Sequence, residues 1–318
     1  MTSSASAVIG VDVGGTKIAA ALADSDGVVL AQFETQTGAH EGGAAVTERG
    51  LCLVSRLDQY ATEAGLAVSG AAVAAAGVHK PGLSSFSPNV PGWDAASMVS
   101  EIGAELDLTV VPVWNDIHAA ALAELRTGHL RDVDPGIYVG LGTGIASALC
   151  IAGTVIPGAH GAAGEIGFLN AGDGPSLGAE AGRATLEEHV GGKSIGVRAS
   201  DLLGEKVDAA DLFSRTDPAS LHVLHHALGK LAAAVADIAV MIDPSRIVIG
   251  GGMMRSGDTI LNVVKAQVRR QVPFPPEVGP AHHLYDASLH GAIQIALDQH
   301  RQNHRSSRQK QHVLTVES

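Results

Sequence analysis

The stretch Ala7-Val8-Ile9-Gly10-Val11-Asp12-Val13-Gly14-Gly15-Thr16-Lys17-Ile18-Ala19-Ala20-Ala21-Leu22-Ala23 decides the fold. An apolar, β-branched run from Ala7 to Val13 ends in two glycines, and a second apolar run from Ile18 to Ala23 follows at once. Two strand-like runs joined by a short glycine turn predict a β-hairpin. The pattern returns later: Ile137 to Gly140, then Gly142-Thr143-Gly144, then Ile145 to Ile151. Each half of the chain therefore opens on a glycine hairpin.

Working outward, Leu51 to Ala64 carries apolar residues at helical spacing, and Val68 to Ala76 reads as a buried strand. Leu108 to Val113 is a further predicted strand, followed by an Ala- and Leu-rich helix over Ile117 to Leu130. In the second half, Ser220 to Ile242 predicts a long helix stopped by Asp243-Pro244, and Ile247 to Ile249 a short strand running into Gly250-Gly251-Gly252. Ser288 to Gln299 predicts the last helix, and the polar Arg301 to Ser318 a tail without regular structure. Strands alternating with helices over 318 residues predict two α/β domains around an interdomain cleft, since the chain exceeds the usual size of one core.

Composition narrows the function. With 33 acidic against 21 basic residues the net charge is -12, which disfavours non-specific binding to nucleic acid or an anionic membrane. Only two cysteines occur, Cys52 and Cys150, too few for a disulfide framework and fitting a reducing, cytoplasmic setting. Met1 to Ser6 lacks the basic and apolar regions of a signal peptide, and no uninterrupted apolar run approaches about 18 residues. The expected partner is a small soluble molecule.

Asp12-Val13-Gly14-Gly15-Thr16-Lys17 places a carboxylate, two glycines, a hydroxyl and an ammonium on one turn. Glycines let backbone N–H groups approach phosphate oxygens, Thr16 adds a donor, and Asp12 suits magnesium, directly or through water. An ordinary hairpin turn remains the alternative for this motif alone. It is neither a Walker A loop nor a dinucleotide fingerprint, because a strand rather than a helix follows the turn. Gly142, Thr143 and Gly144 form a second cradle of this kind, and Gly250, Gly251 and Gly252 would let a flat base lie against the backbone. Asn89, Trp93, Asn115, Asp116, Glu165 and Glu187 supply polar or amphipathic groups near glycine turns, as a sugar requires. Asp116 stands at a strand-to-helix junction, where it reads either as a general base for an attacking hydroxyl or as a helix N-cap. The histidines, including the pairs His225-His226 and His282-His283, are read as lying beside no carboxylate or thiol at ligand spacing.

Six blocks in this order resemble the ROK group of sugar kinases and regulators, within the actin, hexokinase and Hsp70 fold class. They are Asp12 to Lys17, Pro88-Asn89-Val90-Pro91-Gly92-Trp93, Asn115-Asp116 with Ala119-Ala120-Ala121, Leu141 to Ile145, Gly161-Ala162-Ala163-Gly164-Glu165-Ile166-Gly167, and Ile249 to Gly252. The resemblance implies ATP-Mg phosphates on the two glycine turns and a sugar held by Asn89, Asn115, Asp116, Glu165 and Glu187. It further implies transfer to the sugar's 6-hydroxyl with Asp116 as base, and a homodimer. It departs from the family pattern after Gly167: a histidine is usual there, followed by a cysteine cluster that binds zinc, whereas this chain has Phe168 and no cysteine from Leu169 to Leu186. Phe168 therefore stands where the family places a sugar contact, and no zinc site is expected. The expected architecture is an actin-like, ribonuclease H-like α/β fold. Residues 1–117 with 288–303 form a small domain, 118–287 a large one, and 304–318 a disordered tail. A sugar-binding regulatory or degenerate protein without turnover is the alternative. Against a repressor, the first turn begins at Asp12, which leaves no room upstream for a helix-turn-helix.

Overall fold

In the computed structural model the first hairpin pairs β1 (Ala5–Val13) antiparallel to β2 (Lys17–Asp24), with Val13 opposite Ile18 across the glycine turn. Residues 5–79, 92–172 and 178–316 are described. The chain divides into two units, Met1–Ala120 with Ser288–Ser318, and Ala121–Ala287.

In the first unit, β3 (Val29–Gln36) adds an antiparallel edge whose side chains alternate between partly buried and exposed. Next come α1 (Gly43–Glu63), β4 (Leu66–Ala75), α2 (Ala95–Glu105), β5 (Val113–Asn115) and α3 (Asp116–Thr127). The sheet order is β3-β2-β1-β4-β5, with β1, β4 and β5 parallel. Period-2 alternation sends Ile9, Val11 and Val13 of β1 into one core with Ile18 and Leu22 of β2, Val73 of β4, Leu53 and Leu57 of α1, and Met98 and Ile102 of α2.

Two predicted elements shift. The strand expected over Leu108 to Val113 begins only at Val113, because Pro112 has no N–H for the ladder and Asp107 turns the chain at φ 53°. Leu108 and Val111 still pack on the core, which is why that run looks like a strand in sequence. The helix expected from Leu51 starts at Gly43, burying Val46 and Thr47 in its first turns.

The second unit repeats the plan. It contains β6 (Gly136–Leu141), β7 (Ile145–Ile151), β8 (Thr154–Val155), α4 (Glu187–Val190), α5 (Gly192–Leu203), α6 (Ala209–Ser214), α7 (Pro218–Ile242), β9 (Arg246–Gly250), α8 (Gly257–Gln271) and β10 (Glu277–Pro280). Its sheet runs β10-β9-β6-β7-β8, with β6, β9 and β10 parallel and the β6-β7-β8 meander antiparallel. Strand for strand, this is the connectivity of the first sheet.

Helix α7 is capped by the Asp217 side chain with Pro218 in its first turn, and it ends at Asp243 in the left-handed conformation. It is long and apolar enough to cross a membrane by length and composition. Its Val223, Leu228, Leu231 and Val235 nevertheless lie in the core of the second unit.

The last helix, α9 (Ala287–Val316), continues through residues 304–316, where an irregular tail was expected. That stretch lacks glycine and proline and is rich in Arg, Gln and Lys, all good helix formers. Within the first unit α9 lies close against β1: a Cβ added at Gly10 would stand 2.8 Å from Ile293.

Candidate functional site

In the first unit three parallel strands end at one edge of the sheet. Asp12 of β1 pairs with Ala74 of β4, and Asn115 of β5 pairs with Ala75. The first glycine turn and the Asn115-Asp116 pair therefore stand at the carboxyl ends of β1 and β5, the parallel strands on either side of β4, the edge at which open α/β sheets bind ligands.

The side chain next to Asp116 bears on the helix-cap alternative. Asn115 Oδ1 accepts from the backbone N–H of Ile117 and of His118, each at 3.0 Å, so Asn115 does the capping of α3. Its amide donates to the Gly77 carbonyl at 3.0 Å, which fixes the side chain. Asp116 Oδ1 also accepts from Ile117 N–H, at 2.9 Å, and burial pushes its carboxyl up to about 6 against the opposing pull of backbone donors. A carboxylate that is mostly ionised at pH 7, yet basic enough to take a proton, suits general-base work.

The first turn closes through Gly14 N–H to the Lys17 carbonyl at 2.9 Å, and Thr37 clamps it through its hydroxyl to the Gly14 carbonyl at 2.7 Å and its N–H to the Thr16 carbonyl at 2.9 Å. Gly15, Thr16 and Lys17 are exposed, whereas Asp12 is half-buried. Lys17 Nζ donates to Glu34 Oε2 on β3 at 2.9 Å, an exposed ion pair of the kind worth under about 1 kcal/mol. Asn89 lies outside the described residues. Trp93 is a core residue, 5% exposed, with its indole donating to Thr47 Oγ1 at 3.2 Å, so it is not an acceptor-side group as expected.

In the second unit, Gly142, Thr143, Gly144, Glu187 and Gly250 to Gly252 come together. Gly142 N–H bonds the Gly144 carbonyl at 3.0 Å, closing the turn. The first-turn amides of α5 reach it as well, Gly192 N–H to the Gly142 carbonyl at 2.9 Å and Lys193 N–H to the Thr143 carbonyl at 3.2 Å. Glu187, the first residue of α4, accepts from Ile145 N–H at 3.1 Å, and a Cβ at Gly144 would stand 1.9 Å from the same carboxylate oxygen. Gly251, at φ 103°, has no room for a side chain, with the Leu141 carbonyl 2.4 Å from an added Cβ.

Glu165 precedes a 3-10 turn over Ile166–Phe168, and Phe168 N–H returns to the Glu165 carbonyl at 3.2 Å. Leu186 N–H bonds the carbonyls of Gly167 and Leu169, at 3.0 and 3.1 Å, so the residue before Glu187 is tied to the Glu165–Phe168 turn. The intervening loop is held by Arg183 N–H to the Gly178 carbonyl at 2.9 Å, an Arg183–Glu188 ion pair and Lys230 on the Ala171 carbonyl. One reading of the histidines is overturned: ligating atoms of His283 and Asp286 lie within 4.8 Å of each other, so His282-His283 does have a neighbouring carboxylate.

Sequence reasoning passed over Gly191-Gly192, and it quoted Gly164 only as part of the block Gly161 to Gly167. A Cβ at Gly191 would meet the Thr143 carbonyl at 2.8 Å, and one at Gly164 would meet the Ser147 carbonyl at 1.9 Å. The adjacent glycines directly after the Glu187 helix were the available signal. His79 was passed over as well; its ring lies between the end of β4 and Trp93.

The two sheets of matching connectivity and their glycine hairpins define an actin-like ATPase fold. The chain belongs to the ROK family, whose family model matches residues 8–299. An N-acetylmannosamine kinase of Escherichia fergusonii is 29% identical over 295 residues, covering 91% of this chain and 97% of that protein. A glucokinase of Halalkalibacterium halodurans is 28% identical over 282 residues, covering 81% and 83%. Among solved structures, a ROK family glucokinase from Streptomyces griseus in complex with glucose and AMPPNP has a TM-score of 0.76 at 25% identity, covering 91% of this chain and 99% of that one.

Proposed function

We propose that this chain is an ATP-dependent sugar kinase that transfers the terminal phosphate of ATP to the 6-hydroxyl of a hexose or aminosugar. The observation that carries the reading is Asp116. Its neighbour Asn115 caps the helix, and burial lifts the Asp116 carboxyl to about 6, a value suited to accepting the hydroxyl proton. Asn89, Asn115, Asp116, Glu165 and Glu187 are the residues assigned to the sugar, with Phe168 beside them in place of a histidine. The turn Asp12 to Lys17, the turn Gly142 to Gly144, and Gly250 to Gly252 are assigned to the nucleotide.

The half-buried carboxylate of Asp12 fits the hard oxygen donors that magnesium takes, directly or through water. Bound there, magnesium would offset charge on the transferring phosphoryl group. Zinc does not fit the family position, because no cysteine lies between Leu169 and Leu186 and Phe168 replaces the histidine. A cytoplasmic homodimer is part of the same reading.

Relatives acting on N-acetylmannosamine and on glucose make those two sugars the first acceptors to test, followed by mannose and N-acetylglucosamine. Measuring ATP consumption and sugar 6-phosphate formation across this panel tests the proposal, and one acceptor turned over with sugar-dependent ATP use is the expected result. The missing cysteine cluster favours a second reading, a sugar binder without turnover. Sugar binding without phosphate transfer in the panel would establish that reading instead.

A further inference from the structure

Of the three glycines that end β9, packing explains two. A Cβ at Gly250 would stand 2.6 Å from the Tyr138 hydroxyl and 3.1 Å from Ala281, and Gly251 is left-handed and pressed on Leu141. Gly252 has no such reason: its φ is not left-handed, and among the described residues a Cβ there would meet nothing within 4 Å. The nearest atom to a Cβ at Gly142 is the Gly252 nitrogen, at 3.9 Å. The second glycine turn therefore adjoins the glycine strand end at the one member whose face is left open.

Gly252 begins a 3-10 turn over Gly252–Ser256 that leads into α8. Residues three apart in such a turn stand on one face, so Arg255 shares the open face of Gly252. The Arg255 guanidinium covers the ring of Tyr285, with Cζ 5.1 Å from the ring centroid. Tyr285 is held beside the strand end, because Gly251 N–H donates to the carbonyl of the preceding residue, Leu284, at 2.8 Å. Leu284 packs on the core, whereas Tyr285 is 52% exposed and Arg255 is exposed as well. A planar cation and an aromatic ring thus stand at an accessible surface beside a bare stretch of backbone.

We infer that Arg255 and Tyr285 are specificity-determining residues for the phosphate donor, forming a platform on which its purine base stacks beside Gly252. The inference rests on the sugar-kinase reading, in which the two glycine elements take the nucleotide, and it names the side chains that recognise the base. Aromatic rings and guanidinium planes stack on the π-face of any base, so discrimination follows stacking strength. A purine donor is favoured over a pyrimidine one, and either over a phosphate chain without a base.

Tyr285→Ala tests the platform, and Tyr285→Phe keeps the ring as a control. For the best sugar of the panel, Tyr285→Ala is expected to raise the ATP KM about tenfold, the worth of one base stacked on an aromatic ring, with the sugar KM and kcat within about twofold. The UTP KM should rise less, and Tyr285→Phe should stay close to wild type. Gly252→Ala adds a methyl to the open face at no steric cost to the fold, so its melting temperature should hold while the ATP KM rises. An unchanged ATP KM in both Tyr285→Ala and Gly252→Ala would overturn the inference.

Thermal shift by magnesium-ATP and by inorganic tripolyphosphate supplies a readout that needs no turnover. A smaller ATP shift in Tyr285→Ala, with the tripolyphosphate shift unchanged, supports the platform even if no sugar is phosphorylated. Equal losses for both ligands would show that the pair serves the phosphates and would overturn the base contact. Equal ATP shifts in wild type and Tyr285→Ala overturn the platform alone, even if the kinase reading stands. No ATP shift in the wild type, with no ATP use in the panel, overturns both.

Discussion

The two glycine hairpins occupy the same place in sheets of the same connectivity, yet they are braced differently. The first is open: Gly15, Thr16 and Lys17 face solvent, and the turn is held by Thr37 and its own Gly14–Lys17 bond. The second is built into its surroundings, with α5 amides on its carbonyls, Gly251 pressed against Leu141, and the Glu187 carboxylate filling the space beside Gly144. A shared topology thus sets where a phosphate turn can be, while the elements packed around it set how far its shape is coupled to other groups. In the second unit that coupling ties the turn to Glu187. In the first, the corresponding edge of the sheet carries Asn115 at the end of β5 and Asp116 at the start of α3, with no bond to the turn among the described residues.

The largest expected effect tests this division of labour at Asp116. Asp116→Asn keeps size and removes the proton acceptor, so kcat should fall by about two to four orders of magnitude while sugar affinity changes little. Wild-type turnover should decline on the acid side with a midpoint near the raised carboxyl value of about 6. The linkage sign follows from the direction of the shift. A carboxyl raised from 3.8 to about 6 on folding favours the folded state most below 3.8, and that stability is lost as pH rises towards 6. Asp116→Asn removes this cost, so the variant should melt higher than wild type at pH 7, by at most about 3 kcal/mol of stability. Undiminished turnover would dismiss Asp116 as the base; a lower melting temperature would dismiss the burial argument.

A smaller effect separates the two turns. An added methyl at Gly144 meets only the end of the flexible Glu187 side chain, so Gly144→Ala should fold, with Glu187 displaced from Ile145 N–H. Misplacing a positioning group by about 1 Å costs up to about 100-fold, so the sugar KM should rise by about 10- to 100-fold. At Gly14 the nearest atom to an added Cβ is the Lys17 carbonyl at 3.0 Å, and φ is not left-handed there. Gly14→Ala should therefore change the sugar KM less than about threefold, its effect falling on ATP. Equal sugar constants for the two variants would remove the distinction between a coupled turn and an open one.

What was legible in the sequence follows the same contrast. Hairpins, the long α7 and the glycine strand end at Gly250 are encoded locally, by period, composition and turn residues, and they stand within a few residues of their expected places. Elements that depend on partners were not legible. Edge strand β3 mixes polar and apolar residues, and β5 was misplaced because apolar packing of Leu108 and Val111 imitates a strand that Pro112 forbids. At the site, residue types pointed to Asp116 but could not divide capping from catalysis, because that depends on where the Asn115 side chain turns. Gly191 and His79 were silent for a related reason: the groups they meet, the Thr143 carbonyl and the Trp93 ring, are distant in sequence.

The smallest expected effect concerns the loop between Phe168 and Glu187, which couples the second turn to the rest of its unit. In the family pattern a metal cluster organises this segment, and removing a structural zinc unfolds what it holds. Here the described part of the loop is tied by groups that need no metal. Leu186 N–H bonds two carbonyls of the Gly167–Leu169 stretch, Thr185 Oγ1 donates to the Leu169 carbonyl at 2.6 Å, and Arg183 pairs with Glu188. The hydrogen bonds of Leu186 and Thr185 are each worth about 1 kcal/mol, and with the exposed ion pair they close the same short loop at once. Purified protein should therefore contain far less than one zinc per chain, and a strong chelator should leave the melting temperature unchanged. Activity lost to the chelator should return fully on adding magnesium alone. Stoichiometric zinc by elemental analysis, with a melting temperature that drops when it is stripped, would show that the loop depends on a metal after all. The second turn's coupling to Glu187 would then rest on that ion rather than on the contacts of Leu186, Thr185 and Arg183.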